Sequence, residues 1–160
     1  MGGVILERGR LLSSSAMESK EKYSVLLVDD DASMLSSMEA VLSDDFRVRS
    51  TSSPSVAARL LERDTYHVVC ADWHMPEMNG LEFFRSITRM KIDVVPSLIL
   101  VTAHTAELLD PVFAEERKNL GILRKPFSPV ELLERVHQFA VLAKLRESTG
   151  KLRSAVKGSR

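Results

Sequence analysis

The stretch that decides the fold is Val68-Val69-Cys70-Ala71-Asp72-Trp73-His74-Met75-Pro76-Glu77-Met78-Asn79-Gly80. It begins as a short apolar run with β-branched residues, the pattern of a buried strand and too short for a free-standing helix. The run stops on one carboxylate, Asp72. Pro76 and Gly80 then interrupt regular structure, so the chain turns outward into a loop. A carboxylate at the carboxyl end of a buried strand lies where ligands sit in open α/β sheets. The alternative is that Asp72 only caps the following turn, a common use of Asp. The flanking segments decide between the two.

Upstream, Val25-Leu26-Leu27-Val28 is another continuous apolar strand, and it ends on Asp29, Asp30 and Asp31. Met34, Leu35, Met38, Val41 and Leu42 then recur at helical spacing, with Asp31 or Ser33 as the cap. Phe46 and Val48 alternate with Arg47 and Arg49 in a short strand. Pro54 opens a helix with Val56, Leu60 and Leu61 inward, proline being favoured in a first turn. Downstream of Gly80, a helix should turn Leu81, Phe84 and Ile87 inward. Ser97-Leu98-Ile99-Leu100-Val101 is a fourth strand, ending at Thr102-Ala103-His104. A helix is predicted within residues 105–120, with Asp110-Pro111 as a candidate start. Gly121-Ile122-Leu123-Arg124 is a fifth, less apolar strand running into Lys125-Pro126-Phe127. Ser128-Pro129 caps a last helix with apolar positions Val130, Leu133, Val136, Phe139 and Ala140. Strands alternating with helices in this way predict an α/β fold: a doubly wound five-stranded parallel sheet with helices on both faces.

The totals agree with one such domain. The chain has 160 residues, 44% of them hydrophobic and 28% charged, with no net charge. That suits a single soluble domain with a core. Charge is unevenly spread. Residues 23–143 hold 12 Lys and Arg against 18 Asp and Glu, a net of −6, whereas residues 144–160 carry a net of +5. No aromatic residue interleaves with the basic tail, so nucleic-acid binding is not expected through this chain. Residues 1–22 show no sustained periodicity and read as a flexible N-terminal extension, with Met17 an alternative start. The charges that follow Val4-Ile5-Leu6 exclude a signal peptide, and Leu6 stands where a myristoylation motif needs Ser or Thr. No apolar run has the length of a membrane span. The single cysteine, Cys70, cannot form an internal disulfide, and a lone buried thiol fits a reducing, cytoplasmic setting.

Right-handed crossovers place every strand's carboxyl end on one edge of the sheet. There the sequence sets Asp29 and Asp30, Asp72, Thr102 and Lys125; only the second strand contributes no obvious polar group. Three acids in one pocket repel by a few kcal/mol per close pair at an effective dielectric near 20. Hard oxygen ligands of this kind suit Mg²⁺, which binds through few carboxylates plus a phosphoryl oxygen. Lys125 offers a mobile positive charge and Thr102 a hydroxyl donor. The set has the parts for phosphoryl transfer onto a carboxylate.

Val28-Asp29-Asp30, the segment Ala71-Asp72-Trp73-His74-Met75-Pro76-Glu77-Met78-Asn79-Gly80, Val101-Thr102-Ala103 and Lys125-Pro126-Phe127 together resemble the receiver domain of two-component response regulators. The four motifs occur in order and at the right spacing over residues 23–143. The resemblance implies the flavodoxin-like strand order 2-1-3-4-5. It implies that a histidine kinase or phosphotransfer protein donates a phosphoryl group to Asp72. It further implies that Asp29 or Asp30, Asp72 and the backbone carbonyl of His74 bind Mg²⁺. Thr102 and Lys125 would contact the phosphoryl group, and the Lys125–Pro126 bond would be cis. Such a domain is no enzyme toward other substrates and catalyses only its own phosphorylation and dephosphorylation.

Two positions depart from the family pattern. Ile122 occupies the switch position, where an aromatic residue usually swings inward on phosphorylation. Lys118-Asn119-Leu120-Gly121 replaces the usual Ala-Gly-Ala run. His74 and His104 fall two residues after Asp72 and Thr102, positions that resemble those tuning dephosphorylation. His67 and His137 read as ordinary, partly exposed residues, and Trp73 as a surface aromatic beside the pocket. Two other functions compete. One is a receiver-like interaction domain that ignores phosphate, which Ile122 favours. The other is a Mg²⁺-dependent phosphatase, which wants a second Asp where His74 stands. Finally, Leu142, Leu145, Thr149, Leu152 and Val156 are spaced as a heptad seam. Residues 144–160 are thus either a basic tail or the start of a linker helix able to pair two chains as a homodimer.

Overall fold

The computed structural model describes residues 21–104 and 120–157. Three apolar runs form its centre: β1 (Ser24–Val28), β3 (Val68–Asp72) and β4 (Ser97–Thr102), nearly every residue buried. Strands this uniformly apolar need cover on both faces, which is the situation of a parallel sheet. With β2 (Arg47–Thr51) and β5 (Leu120–Arg124) they make one five-stranded sheet. Every pairing is parallel and the order is β2-β1-β3-β4-β5. The expected architecture and strand order are both present. At the β2 edge Arg47 and Arg49 are exposed, charges that discourage pairing with another strand.

Alternation along each strand divides the core in two. Leu26, Val28, Val69, Ala71, Leu98 and Leu100 face α2 (Pro54–Arg63) and α3 (Gly80–Thr88). Val25, Leu27, Val68, Cys70, Ile99 and Val101 face α1 (Ala32–Leu42) and α4 (Pro129–Lys157). The helix starts follow local rules. Asp31 caps α1, its side chain accepting from the backbone N–H of Ser33 at 2.8 Å and Met34 at 3.2 Å. Ser53 caps α2 ahead of Pro54. Asn79 and Glu82 form a reciprocal capping box on α3, and Ser128 and Glu131 one on α4.

Several inward faces differ from the sequence expectation. On α2 the buried positions are Pro54, Ala57 and Leu61, Leu60 is half-buried, and Val56 is 38% exposed. On α3 Phe83 joins Phe84 and Ile87 inside, while Leu81 is only half-buried. On α4 Leu132, Val136, Ala140 and Ala143 face the sheet and Val130 is 62% exposed. The helices begin where the sequence placed them; neighbouring apolar residues stand about 100° apart around each axis, and the sheet beneath selects which of them turns inward. His67 is buried rather than partly exposed: its Nδ1 accepts from the Ser24 N–H at 3.0 Å, and Tyr23 packs on its ring. His137 is exposed, its ring 4.6 Å from that of Phe46. The helix predicted within 105–120 and the extension 1–20 lie outside the described residues. No helix among those residues is long and apolar enough to cross a membrane.

Candidate functional site

Because all five strands run in one direction, their carboxyl ends share an edge, and the polar residues expected there converge. Asp29 follows β1 directly. Its backbone N–H donates to the carbonyl of Thr51 at 3.3 Å, and its Oδ1 accepts from the N–H of Asp31 at 2.9 Å. The side chain is thereby pinned at the strand end, almost fully buried. Asp72 is the last residue of β3 and Thr102 the last of β4, both buried. Lys125 follows β5, and its backbone N–H donates to the carbonyl of Thr102 at 2.8 Å. The Lys125–Pro126 peptide is cis, as the resemblance implied. From there Lys125 Nζ lies 2.9 Å from Asp72 Oδ1 and 3.3 Å from Asp29 Oδ2.

Carboxylate oxygens of Asp29, Asp30 and Asp72 all lie within 4.8 Å of one another, Asp30 on the exposed side. At that separation each pair of like charges costs about 3 kcal/mol at an effective dielectric near 20. Burial raises the pKa of Asp29, and the charge of Asp72 adds to the rise. The backbone donor at Asp31 and the ammonium of Lys125 oppose it. Burial pulls the Lys125 pKa down, but its hydrogen bond to Asp72 and the charges of Asp29 and Asp72 win, and the net shift is upward. Three carboxylates against one ammonium leave a formal charge of −2. The donor set is oxygen only, compact and half open to solvent, and so fits one hard divalent cation with water completing its shell.

The loop between β3 and α3 frames this cluster. The N–H of Trp73 donates to the carbonyl of Val101 at 2.9 Å, and its own carbonyl accepts from the Gly80 N–H at 2.8 Å. Trp73 is buried at 8% exposure, not at the surface as its sequence context suggested. Gly80 does more than break a strand. A Cβ there would sit 2.7 Å from Leu100 Cδ2 and 2.9 Å from the Asp72 carbonyl oxygen. Only glycine lets the start of α3 come this close behind the carboxyl end of β3. Farther out, the Glu77 carboxylate accepts hydrogen bonds from the Ser53 and Ser55 hydroxyls at the start of α2. Those bonds hold the carboxyl of Glu77 below its usual pKa. Sequence reasoning missed this strap, since no local pattern links residues more than twenty positions apart.

The remaining candidates take definite positions. Thr102 Oγ1 donates to the carbonyl of His104 and accepts from the His104 N–H, both at 3.0 Å. The hydroxyl is therefore turned into its own loop. His74 and His104 are exposed and meet edge to face, ring centroids 5.2 Å apart. Ile122 pairs with Leu100 across the β4–β5 ladder and is half-buried against the α3 side of the core. Cys70 is enclosed in the core, where burial pushes its thiol up to about 12, so it contributes no nucleophile.

The family model of the response regulator receiver domain matches residues 25–137. A protein-glutamate methylesterase/protein-glutamine glutaminase from Rhodopseudomonas palustris is 31% identical over 88% of the chain, which covers 36% of that relative. Response regulator SaeR from Staphylococcus aureus is 31% identical over 71% of the chain, covering 48% of SaeR. The chain thus spans less than half the length of these curated relatives. Among solved structures, a CheY-like response regulator receiver domain protein from Methanospirillum hungatei superposes with a TM-score of 0.67 at 27% identity. That match covers 76% of this chain and 96% of the other.

Proposed function

The chain belongs to the response regulator receiver family, and from that premise we propose that Asp72 is the phosphoacceptor of a phosphorylation-switched signalling module. The phosphoryl donor is a histidine kinase or a phosphotransfer protein. One observation carries the reading: Asp72 is held at the sheet edge with Lys125 Nζ 2.9 Å away and two further carboxylates beside it. An Asp72 carboxylate oxygen attacks phosphorus, and the bond from phosphorus to the donor's imidazole nitrogen breaks, the electron pair leaving with nitrogen. Asp29, Asp30, Asp72 and the backbone carbonyl of His74 would hold Mg²⁺, whose charge neutralises phosphoryl oxygens. Lys125 gives up part of its contact with Asp72 to meet a phosphoryl oxygen. The Thr102 hydroxyl rotates from the His104 carbonyl to donate to another. His74 and His104, two residues beyond Asp72 and Thr102, meter the water that reverses the reaction.

A groove of about 270 Å³ lined by Met34, Met38, Val41, Phe127 and Leu132 opens beside Lys125 and gives the donor a place to dock. Met34, partly exposed there, adapts to a helical partner. The resulting change passes to a partner protein or a joined output domain. With Ile122 in place of an aromatic, that route runs through aliphatic packing under β4 and β5. The same residue is what favours the second reading, an interaction domain indifferent to phosphate. Intact-mass measurement after incubation with a small acyl phosphate and Mg²⁺ separates them. Wild type should gain one phosphoryl group and Asp72→Asn none. Failure of the wild type to label supports the second reading; full labelling of the Asn variant refutes Asp72 as the acceptor.

A further inference from the structure

The last helix continues past its packed contact with the sheet. Among the described residues its last buried side chain is Ala143, and Arg146 makes a further link by donating to the Ser97 hydroxyl at the start of β4. The helix nevertheless runs on to Lys157. Fourteen residues beyond Ala143 project about 21 Å at the α-helical rise. Lys144 and Lys151 both pair with Glu147, bridges within the helix that support these turns.

The face turned away from the sheet is apolar in a regular order. Leu142 is 44% exposed, Leu145 60% and Leu152 66%, with Thr149 exposed between them and Val141, 46% exposed, at the flank. Leu142 and Leu145 each follow a buried alanine, Ala140 and Ala143, by two residues, a rotation of about 200° that puts them on the opposite side. Single exposed leucines are ordinary on a surface, but a row at intervals of three and four residues is a coiled-coil seam. By sequence the next position of the seam is Val156.

We propose that residues 141–157 form a dimerisation helix that pairs with the same helix of a second copy of this chain, parallel and in register. An a/d seam of Leu142, Leu145, Thr149 and Leu152 is complementary to itself, which suits a twofold interface between identical helices. The flanking charges choose the direction. By sequence the e positions 146 and 153 are both arginine and the g positions 141 and 148 are Val and Ser. Parallel pairing sets e positions against g positions of the partner, whereas antiparallel pairing sets the basic e row against itself. Little more than two heptads bury less surface than the 1,200 Å² or so of a permanent interface, so pairing depends on concentration. The inference rests on the helix alone and stands whether or not Asp72 accepts phosphate.

Sedimentation equilibrium of the full chain over a range reaching sub-millimolar concentration tests it. Wild type should show a reversible monomer–dimer equilibrium. Leu145→Glu/Leu152→Glu should weaken it at least about tenfold, with helix content and melting temperature little changed because both side chains are exposed. Leu145→Ala, which keeps helix propensity, should give a smaller loss in the same direction. Orientation is read from Thr149→Cys under mild oxidation, Cys70 being buried. Parallel register juxtaposes the two new thiols and yields a disulfide-linked dimer, whereas antiparallel pairing sets position 149 against a d position. A monomer at every concentration, or a dimer indifferent to the glutamates, overturns the proposal. A dimer without the crosslink overturns the parallel arrangement.

Discussion

Two glycines that both lie in helices should respond oppositely to the same substitution. At Gly80 an added Cβ would meet Leu100 Cδ2 at 2.7 Å, the Asp72 carbonyl oxygen at 2.9 Å and Trp73 Cα at 3.2 Å. Leu100 can shift its side-chain tip, but the other two are backbone at the end of β3. Relief therefore requires α3 to move off the sheet or β3 to move toward the pocket. Overpacking of this kind costs about 1–3 kcal/mol. Ala is intrinsically better than Gly in a helix by up to about 1 kcal/mol, which offsets part of the loss. At Gly150 nothing lies within 4 Å of the added atom, so only the propensity gain remains. Neither glycine has a positive φ, so backbone strain does not confuse the comparison. Urea denaturation followed by the fluorescence of Trp73, the only tryptophan, should show Gly80→Ala less stable by about 1–2 kcal/mol net of the propensity gain. Denaturation of Gly150→Ala, followed by far-ultraviolet dichroism, should show a small gain in helix or stability. The Gly80 variant should also label more slowly with phosphodonor, since the displaced backbone carries Asp72. If Gly80→Ala is as stable as wild type, the close approach of α3 behind Asp72 is not what holds that strand end.

Millimolar Mg²⁺ should raise the melting temperature, because a cation bound only by the folded state stabilises it in proportion to RT ln(1 + [L]/Kd). Asp30→Ala should weaken that effect while raising metal-free stability, as one like charge leaves the cluster; an unmoved wild-type melting temperature would deny the metal site. His67 should make stability fall in mild acid. Burial first, and the charge of Lys144 second, hold its pKa below the ordinary 6.5. As pH drops through that value the unfolded chain takes up a proton and the folded chain does not, so its contribution is complete above about 6.5 and declines below, by at most about 1.4 kcal/mol per pH unit. The stability difference between wild type and His67→Asn, read by urea melts between about pH 7.5 and 5.5, should shrink with acid; a constant difference would mean that His67 does not titrate in this range. Replacing His74 and His104 together by alanine should change the lifetime of phospho-Asp72 more than its rate of formation, and unchanged decay of the labelled protein would make both rings bystanders.

The sheet was legible in the sequence because its information is local. Val25–Val28, Val68–Ala71 and Leu98–Val101 are continuous apolar runs, and strands need such runs only when both faces are covered. The cluster was legible for the same reason. A parallel sheet sends every strand's end to one edge, so Asp29, Asp72, Thr102 and Lys125 could be grouped without knowing any distance between them. Helix starts near Asp31, at Pro54 and at Ser128 were readable because a cap or first-turn proline acts within one turn; that Ser53 caps the helix of Pro54 came from the structure. Helix phase was not. Val56 and Ala57, or Leu81 and Phe83, are all apolar enough to face inward, and only the sheet beneath selects which does. Contacts across the chain decided the rest. His67 is buried because the amino ends of β1 and β4 close over it, and Trp73 because the loop returns to Gly80. The Glu77 strap joins two loops that the sequence never brings near each other. The heptad spacing at the end of the chain was visible early, but a seam on a helix buried against its own domain would be only core. The fold turned Ala140 and Ala143 to the sheet, and that rotation left the leucines facing outward.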